Sequence, residues 1–211
     1  DLSCHPASRV HVLPCIAGHV GADTAAVVLA TRLQDYEQDE VIAVVDVGTN
    51  AEIVLSGKNR ILAASSPTGP AFEGAQISAG QRATPGAIER VRIDPETGEP
   101  RIKVLGIDKW SNEEGFTEDV SATGVTGICG SGIIEVVAEM YLAGLISQDG
   151  VIGGPGSLSS PRLQPNERTV QYLLYESDEN ASSIFITQND IRAIQLAKAA
   201  LYAGIRLLMD H

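Results

Sequence analysis

Short runs of β-branched and other apolar residues, separated by turn-forming residues, dominate the first third of the chain. One run covers residues 41–47, a second covers residues 51–55 and a third covers residues 60–66. Apolar runs of this length bounded by Gly, Asn, Asp or Ser are typical of β-strands. The pattern predicts a buried strand, a tight turn at residues 48–50, an antiparallel return strand and a third strand.

Further along the chain, charged residues alternate with Ile and Val on both sides of a turn at residues 94–98. This alternation predicts a second hairpin with one solvated face. Two short strands are predicted at residues 168–175 and 183–186, with an acidic loop between them. Residues 147–165 are rich in Gly, Ser and Pro and are predicted to be irregular.

Three segments have helical patterns. The first covers residues 25–33, with Asp23 or Thr24 as its N-cap. The second covers residues 133–146 and has one apolar stripe, formed by Ile133, Ile134, Val137, Tyr141 and Leu145. The third covers residues 188–209, with Asn189 or Asp190 as its cap.

The last predicted helix contains a single cation, Lys198, within an apolar stripe. Its ammonium group would reach a phosphate or carboxylate at the edge of a cleft. Alternatively, its stem would pack against the stripe while the charged group stays in water.

The composition limits the classes of protein to which this chain can belong. The chain has 211 residues, of which 44% are hydrophobic, so it can bury a core as one domain or two small lobes. A formal net charge of −12 disfavours nucleic acids and anionic membranes as partners. No apolar run approaches the roughly 20 residues that span a bilayer. Three cysteines without regular spacing favour a cytoplasmic protein, and the start at Asp1 favours a fragment of a longer chain.

The first turn carries candidate chemistry in the sequence Asp46-Val-Gly48-Thr49-Asn50. Its tip offers backbone N–H groups and a hydroxyl, and Asp46 can hold a hydrated divalent cation. These groups together suit a nucleotide phosphate with its Mg²⁺. An ordinary hairpin turn is the alternative, because Asp and Asn also bond their own backbone.

Two other segments are candidates for the same site. Glu73 lies in a loop with two prolines and two glycines and could orient a water or a metal, although a plain surface Glu is equally compatible with the sequence. Before the second predicted helix, the chain supplies small residues that leave N–H groups open to a phosphate or ribose. These are Gly127, Gly130, Ser131 and Gly132. Close packing is the alternative explanation for such glycines.

Taken in order, these motifs resemble one family over nearly the whole chain: the C-terminal part of the reductive activators of corrinoid proteins. The resemblance rests on residues 13–31, Asp46-Val-Gly-Thr-Asn-Ala-Glu52, Pro67-Thr-Gly-Pro-Ala-Phe-Glu-Gly74, Gly127-Ile-Cys-Gly-Ser-Gly132 and Gln195-Leu-Ala-Lys198. The activators are ferredoxin-linked members of the actin, sugar-kinase and heat-shock-protein ATPase superfamily (ASKHA). This resemblance implies an α/β, ribonuclease-H-like or actin-like ATPase lobe with a mixed sheet and packed helices.

The resemblance also implies a function. Such activators use ATP to drive the reduction of Co(II) in a corrinoid protein to Co(I), which restores methyltransferases whose cobalt has been oxidised. The corrinoid protein is the expected partner, and a homodimer is left open. ATPase activity coupled to corrinoid reduction is expected of the full-length protein, and the fragment alone is expected to be inactive.

Residue roles follow from the resemblance. Asp46 would lie near Mg²⁺ and hold it through water, in the superfamily's second phosphate loop with Gly48, Thr49 and Asn50. Residues 127–132 would line the nucleotide cleft, and Lys198 would lie on a helix that connects the lobes. Ala51 departs from the Gly of the family. A [2Fe–2S] cluster is expected only in a missing N-terminal region, because this chain lacks the four ligands that a cluster needs.

The resemblance suggests a division of the chain. Residues 1–40 would hold an extended start and a lobe-connecting helix, and residues 41–211 the ATPase lobe without its C-terminal adenosine loop. A hairpin insertion would cover about residues 86–120. Two other functions stay open: another activator or kinase of the superfamily, and a non-catalytic scaffold or partner-binding module with an actin-like fold.

Overall fold

The computed structural model describes residues 5–36, 40–57, 60–177 and 182–211. These residues form four α-helices and nine β-strands in three three-stranded sheets, which agrees with the predicted mixed α/β class. The chain divides into two compact units, one of residues 1–66 with 201–211 and the other of residues 67–200. The predicted domain boundary at residue 40 stays a prediction. None of the described helices is long and apolar enough to cross a bilayer.

The first unit contains an antiparallel sheet in the order β1 (Ile42–Val47), β2 (Ala51–Gly57), β3 (Arg60–Ser66). All three predicted strands are confirmed, but the prediction that β1 is the buried strand is wrong. Ile53 and Val54 of β2 are buried, whereas much of β1 is exposed. The reason is topological, because β2 pairs on both sides and β1 pairs with β2 alone in the described sheet.

The first helix, α1, covers Ala22–Thr31. The predicted N-cap was wrong, since Gly21 occupies that position and Asp23 lies inside the first turn, where its carboxylate accepts a hydrogen bond from the Thr24 amide (2.8 Å). The helix ends before Leu33 because Arg32 has a left-handed backbone, with φ of 52°. Residues 37–39 of the acidic segment before β1 lie outside the described residues.

The second unit is built around β4 (Ala87–Ile93). This strand pairs antiparallel with β5 (Pro100–Val104), which confirms the second predicted hairpin. At its start it also pairs parallel with the two-residue strand β6 (Gly127–Ile128). A short helix, α2 (Phe116–Val120), lies between β5 and β6. Neither β6 nor α2 is long enough to produce a recognisable periodicity in the sequence.

The helix α3 (Gly130–Leu142) packs against β4 and closes the main core. It starts three residues before the predicted boundary, because the glycines themselves adopt helical geometry after Cys129. The predicted apolar stripe was wrong in part: Ile133 and Leu145 are buried, but Ile134 and Tyr141 are exposed. Much of the core consists of residues that are 0% or 1% exposed, among them Ile88, Val91, Val104, Ile133, Val136 and Met140.

A third sheet has the order β7 (Leu163–Asn166), β8 (Thr169–Tyr175), β9 (Ile184–Ile186). Strands β8 and β9 were predicted, but the prediction of an irregular segment through residue 165 is wrong at β7. This strand tolerates Pro165 because it lies at one edge of the described sheet. Residues 178–181 of the predicted acidic loop lie outside the described residues.

The third sheet is tied to the β4–β5 turn by Tyr172. Its buried hydroxyl donates a hydrogen bond to the Gly98 carbonyl (2.9 Å). Beside it, Arg162 pairs with Glu99 (2.8 Å). Burial raises the pKa of Tyr172, which favours the protonated phenol that donates this hydrogen bond.

The last helix, α4 (Gln188–Met209), has the predicted limits. The predicted cap, Asn189 or Asp190, was wrong. Thr187 occupies that position, because Thr187 and Asp190 bond each other reciprocally. The Asp190 carboxylate accepts from the Thr187 amide (2.7 Å) and hydroxyl (2.8 Å), while the Thr187 hydroxyl accepts from the Asp190 amide (3.3 Å). This is a capping box. The placement of Lys198 in the apolar stripe was also wrong, since Ala197 is buried and Lys198 is exposed.

Glutamates of α3 close the open edge of β4 beyond β6. The Glu135 carboxylate accepts a hydrogen bond from the Val91 amide (2.6 Å), and that of Glu139 accepts from the Ile93 amide (2.9 Å). Arg90 and Arg92 also bind Glu135. The carboxylates thereby satisfy strand N–H groups that would otherwise be available to another strand.

We expect Glu135→Gln to destabilise the fold by about 1–3 kcal/mol at neutral pH, because a charged acceptor is lost from three donors. Burial raises the pKa of Glu135, but the hydrogen bonds from Arg92, the Val91 amide and Arg90 outweigh burial, and the pKa is lowered. This stabilisation is therefore complete above the unfolded-state pKa of about 4.3 and is lost as the pH falls through the lower folded-state value. Urea unfolding at several pH values measures it.

The matched control is Glu114→Gln, which changes an exposed glutamate. The stability difference between wild type and Glu135→Gln should shrink as the pH falls below 4, roughly where the unfolded-state carboxyl titrates. A difference that stays constant down to pH 2 would contradict the proposed role of this carboxylate.

The glycines at the start of α3 allow backbones to approach closely. A Cβ at Gly130 would collide with the carbonyl oxygen of Phe72, and one at Gly132 would lie 2.5 Å from that of Ile88. A Cβ at Gly127 would lie 2.6 Å from the carbonyl oxygen of Ala79. Close packing, one of the two explanations that the sequence left open, therefore accounts for these three glycines.

Gly130→Ala should lower the free energy of unfolding by about 1–3 kcal/mol, because the new methyl group must displace the Phe72 backbone. Gly18→Ala is the control, since a Cβ at Gly18 meets no atom within 4 Å. Thermal unfolding of both variants measures the difference. Equal melting temperatures would show that the Phe72 backbone moves aside without loss of stability.

Candidate nucleotide-binding site

The β1–β2 turn presents the first candidate residues to solvent. Val47 pairs with Ala51, so residues 48–50 form a three-residue tip, which is closed by a hydrogen bond from the Gly48 amide to the Asn50 carbonyl (3.0 Å). The side chains of Thr49 and Asn50 are exposed. A tight tip with an exposed hydroxyl and amide at the end of a sheet can approach the phosphates of a ligand without rearrangement of the strands.

Asp46 lies directly opposite Glu52 in the β1–β2 register, so the two carboxylates share one face of the sheet. Ser65 pairs with Glu52 from the other side, and its hydroxyl donates to the Glu52 carboxylate (3.1 Å). Like charges in this position repel each other, and a cation would relieve the repulsion. Glu52 was not among the predicted site residues, although a tip of three residues places positions 46 and 52 opposite each other.

The donor set beside Asp46 suits a hydrated magnesium ion. Mg²⁺ prefers oxygen ligands and keeps several waters, so it needs only one or two carboxylates from the protein. Within the described ranges, no group of three or more His, Cys, Asp or Glu is arranged to hold a metal ion. Asp46 and Glu52 supply two such carboxylates on one face of the sheet, so the residues present fit a Mg²⁺ ion that keeps most of its waters.

The second unit holds the other candidates. Glu73 ends a 3-10 turn, Pro70–Glu73, and is exposed, while Phe72 packs partly against the core. The same turn lies against the start of α3, because the Phe72 carbonyl oxygen occupies the space that a Cβ at Gly130 would need. The structure therefore brings Glu73 and the predicted residues 127–132 together, as neighbours within one unit.

The start of α3 has a polar exposed residue and a buried thiol. Ser131 is exposed, and its hydroxyl lies 3.3 Å from the Sγ of Cys129. Cys129 is buried, and its thiol donates to the Ile88 carbonyl (3.4 Å). This thiol is consequently a packed core group, whereas Ser131 is exposed at the start of α3, where a ligand can reach it.

The loop after Glu73 is held by Asp190, which is buried. The Asp190 carboxylate accepts hydrogen bonds from the Ser78 amide (2.8 Å) and hydroxyl (3.0 Å) in addition to those from Thr187. One carboxylate thus fixes both the start of α4 and the loop that follows Glu73. Sequence reasoning identified Asp190 only as a cap. Its bonds to Ser78 join residues 112 positions apart, and no local pattern reveals them.

Comparison with known proteins identifies the domain. The family model of the C-terminal domain of RACo, the ASKHA domain, matches residues 40–211. The corrinoid activation enzyme RamQ of Eubacterium limosum is 34% identical over 217 positions, which cover all of this chain and 33% of that protein. The Co(II) methylated amine-specific corrinoid protein reductase of Methanosarcina barkeri is 34% identical over 170 positions, covering 77% of this chain and 31% of the reductase.

A solved structure gives the same result. A reductive activator for corrinoid, iron-sulfur protein superposes with a TM-score of 0.72 at 36% sequence identity, covering 94% of this chain and 29% of the other. The chain spans about a third of the length of the curated relatives that it matches. With the family match over residues 40–211, these findings show that the chain belongs to the family of the RACo C-terminal, ASKHA domain.

Proposed function

We propose that this chain is the nucleotide-binding part of an ATP-dependent reductive activator, which returns a Co(II) corrinoid protein to Co(I) for methyl transfer. The observation that carries the proposal is the exposed tip after Asp46, within the region that matches the family. The names of two relatives, a corrinoid activation enzyme and a Co(II) corrinoid protein reductase, support the same reaction. A corrinoid protein is the proposed partner, in the cytoplasm.

In this proposal, Asp46 holds Mg²⁺ through water. The tip of Gly48, Thr49 and Asn50 binds phosphate oxygens through the exposed side chains of Thr49 and Asn50, and Glu73 orients a water. When bound, ATP would supply the free energy for an otherwise unfavourable electron transfer to cobalt.

The remaining contacts belong to the second unit. The α3 N-terminus would bind the nucleotide through its first amides and Ser131, because free N–H groups and the helix dipole favour phosphate. Gly127, Gly130 and Gly132 would position this end of the helix through their close packing against neighbouring backbone. Lys198, which is exposed on α4, would attract the phosphates of the nucleotide with its positive charge.

The redox cofactor would belong to another part of a longer polypeptide. A [2Fe–2S] cluster needs four ligands, and this chain has three cysteines in total. Of these, Cys15 is exposed and Cys129 is buried at the start of α3. The cluster is therefore proposed for a ferredoxin domain upstream, which the threefold greater length of the relatives would accommodate.

Coupling between nucleotide and cobalt would be conformational. A ligand drives a change only through different affinities for two states, so ATP must favour the conformation that binds and alters the corrinoid protein. Contacts to phosphate and Mg²⁺ that form in only one of the two states would supply this difference. The altered corrinoid protein would then accept an electron at its cobalt.

A non-catalytic scaffold is the second candidate, and one observation favours it. The three glycines before and within α3 are explained by close packing, without any nucleotide. In a scaffold, exposed Asp46 and Glu73 could be replaced without effect on any activity. The repulsive pairing of Asp46 with Glu52 argues against this candidate, because a scaffold gains nothing from it.

The direct test follows Co(I) formation by absorbance, with the longest polypeptide that carries this chain, a reductant, Mg-ATP and a corrinoid protein. Asp46→Asn should lower the rate at least tenfold, because the carboxylate that holds the hydrated cation is lost. Asp108→Asn is the matched control, since Asp108 is also exposed and has no proposed role in nucleotide binding.

Two results would reject parts of the proposal. Equal rates for wild type and Asp46→Asn would show that Asp46 has no role in the nucleotide site. Full multiple-turnover reduction with a non-hydrolysable ATP analogue would show that binding alone suffices and would eliminate a role for Glu73 in orienting a hydrolytic water.

A further inference from the structure

One face of the β4–β5 hairpin carries four cations. In the register of the two strands, Arg90 lies directly opposite Lys103, and Arg92 lies directly opposite Arg101. Residues that lie opposite each other in an antiparallel pair share one face of the sheet, so these four side chains form one array, which we call the hairpin cation face. Like charges in this position destabilise a hairpin. The stability of the hairpin therefore does not explain the array.

Trp110 extends the hairpin cation face by one row. It forms an isolated antiparallel bridge with Lys103, which places both side chains on the same face. The Arg101 guanidinium lies over the indole ring, 5.5 Å from its centroid. The edge of β5 is closed at Ile102, whose carbonyl accepts from the Ser111 amide (2.9 Å) and whose amide donates to the Ser111 hydroxyl (2.9 Å). The hairpin thus presents charged side chains to a partner at this point, and not a free strand edge.

The two strands differ in how their cations are neutralised. On β4, Arg90 binds one carboxylate of α3 and Arg92 lies within 4 Å of two. On β5, neither Arg101 nor Lys103 has a carboxylate within 4 Å among the residues that the structure describes. The β5 side of the face therefore carries two positive charges that another molecule can neutralise.

The charge of the whole chain determines which molecules this face attracts. The hairpin cation face holds four of the 15 Lys and Arg residues of a chain whose net charge is −12. Most of the surface repels an acidic partner, so such a partner is steered toward this face in one orientation. A nucleic acid fits less well, because its continuous row of phosphates would extend past Trp110 to the exposed Glu113 and Glu114.

We propose that the hairpin cation face is a docking surface for an acidic segment of a partner polypeptide, whose carboxylates bind Arg101 and Lys103. Side chains on one face of an extended segment repeat about every 7 Å, which is also the repeat of residues 101 and 103 along β5. Alternate Asp or Glu residues of the partner can therefore face both cations at once. The guanidinium of Arg101 can bind a carboxylate through two parallel hydrogen bonds, and Lys103 adds a point charge. This proposal is independent of nucleotide binding.

Fluorescence anisotropy of a fluorescein-labelled decaglutamate peptide tests the proposal, with the longest polypeptide that carries this chain. The affinity should fall as the salt concentration rises from about 50 to about 200 mM, since salt screens the attraction. Arg101→Gln combined with Lys103→Gln should weaken binding at least fivefold and make the salt dependence shallower. Arg82→Gln combined with Arg168→Gln is the matched control, because it removes two exposed cations of the same unit and should leave the affinity unchanged.

Lys103→Gln alone separates docking from a structural role. The substitution should weaken peptide binding without lowering the melting temperature, because it removes one of two cations that lie directly opposite each other. A lysine that only stabilised the hairpin would give the reverse result, with a lower melting temperature and unchanged binding.

Carbodiimide cross-linking locates the contact, since this reagent joins a carboxylate to a lysine amine. Mass spectrometry should find the peptide attached to Lys103 and not to Lys109, whose ammonium group is already paired with Asp119 (2.9 Å).

Four results would overturn the proposal. The first is equal affinity of the two double variants for the peptide, or no saturable binding by the wild type. The second is attachment of the peptide at other lysines only. The third is a cross-link from Lys103 to the same polypeptide when the peptide is absent, which would show that the face is already covered. The fourth is equal or tighter binding of a thymidine oligonucleotide of the same charge, which would assign the face to nucleic acid.

Discussion

The close approach of α3 to its neighbours is the constraint on which the second unit depends. Gly130 and Gly132 bring the helix within contact of the Phe72 and Ile88 carbonyls, at distances that no side chain would permit. About one and two turns further on, Glu135 and Glu139 bind amides of β4. The helix is therefore held at two places. Its start packs closely because the glycines have no side chains, and its later turns are held by the charged glutamates.

This constraint determines what the start of α3 can do. Because the same glycines press the helix against the Pro70–Glu73 turn, Glu73 is held beside the free amides of the first helical turn. Packing and ligand binding are thus not competing explanations for the glycines. The packing positions a set of N–H groups and an acidic side chain next to each other, which is the arrangement that the proposed nucleotide site needs in this unit.

The elements that were predictable from the sequence are those with a strong local signal. The β1–β2–β3 meander, the β4–β5 hairpin and α4 follow from apolar periodicity and turn residues. The cap of α4 did not, because only the reciprocal bonds between Thr187 and Asp190 reveal that Thr187 occupies that position. Burial was also unpredictable from pattern alone: the most apolar strand, β1, lies at a sheet edge, and Lys198 occupies an exposed side of α4.

The candidate site was predictable in its local segments, whereas the contacts between those segments were not. Asp46 and the tip were identifiable because turn chemistry is local, whereas Glu52 and Ser65 require the strand register. The Asp190–Ser78 bonds and the glycine contacts join distant segments, so only the fold reveals them. Calorimetric titration of Mg-ATP into the longest polypeptide that carries this chain tests the central claim most directly. The account predicts saturable binding that weakens at least tenfold in Asp46→Asn, and the absence of binding, or equal affinity in both proteins, would contradict it.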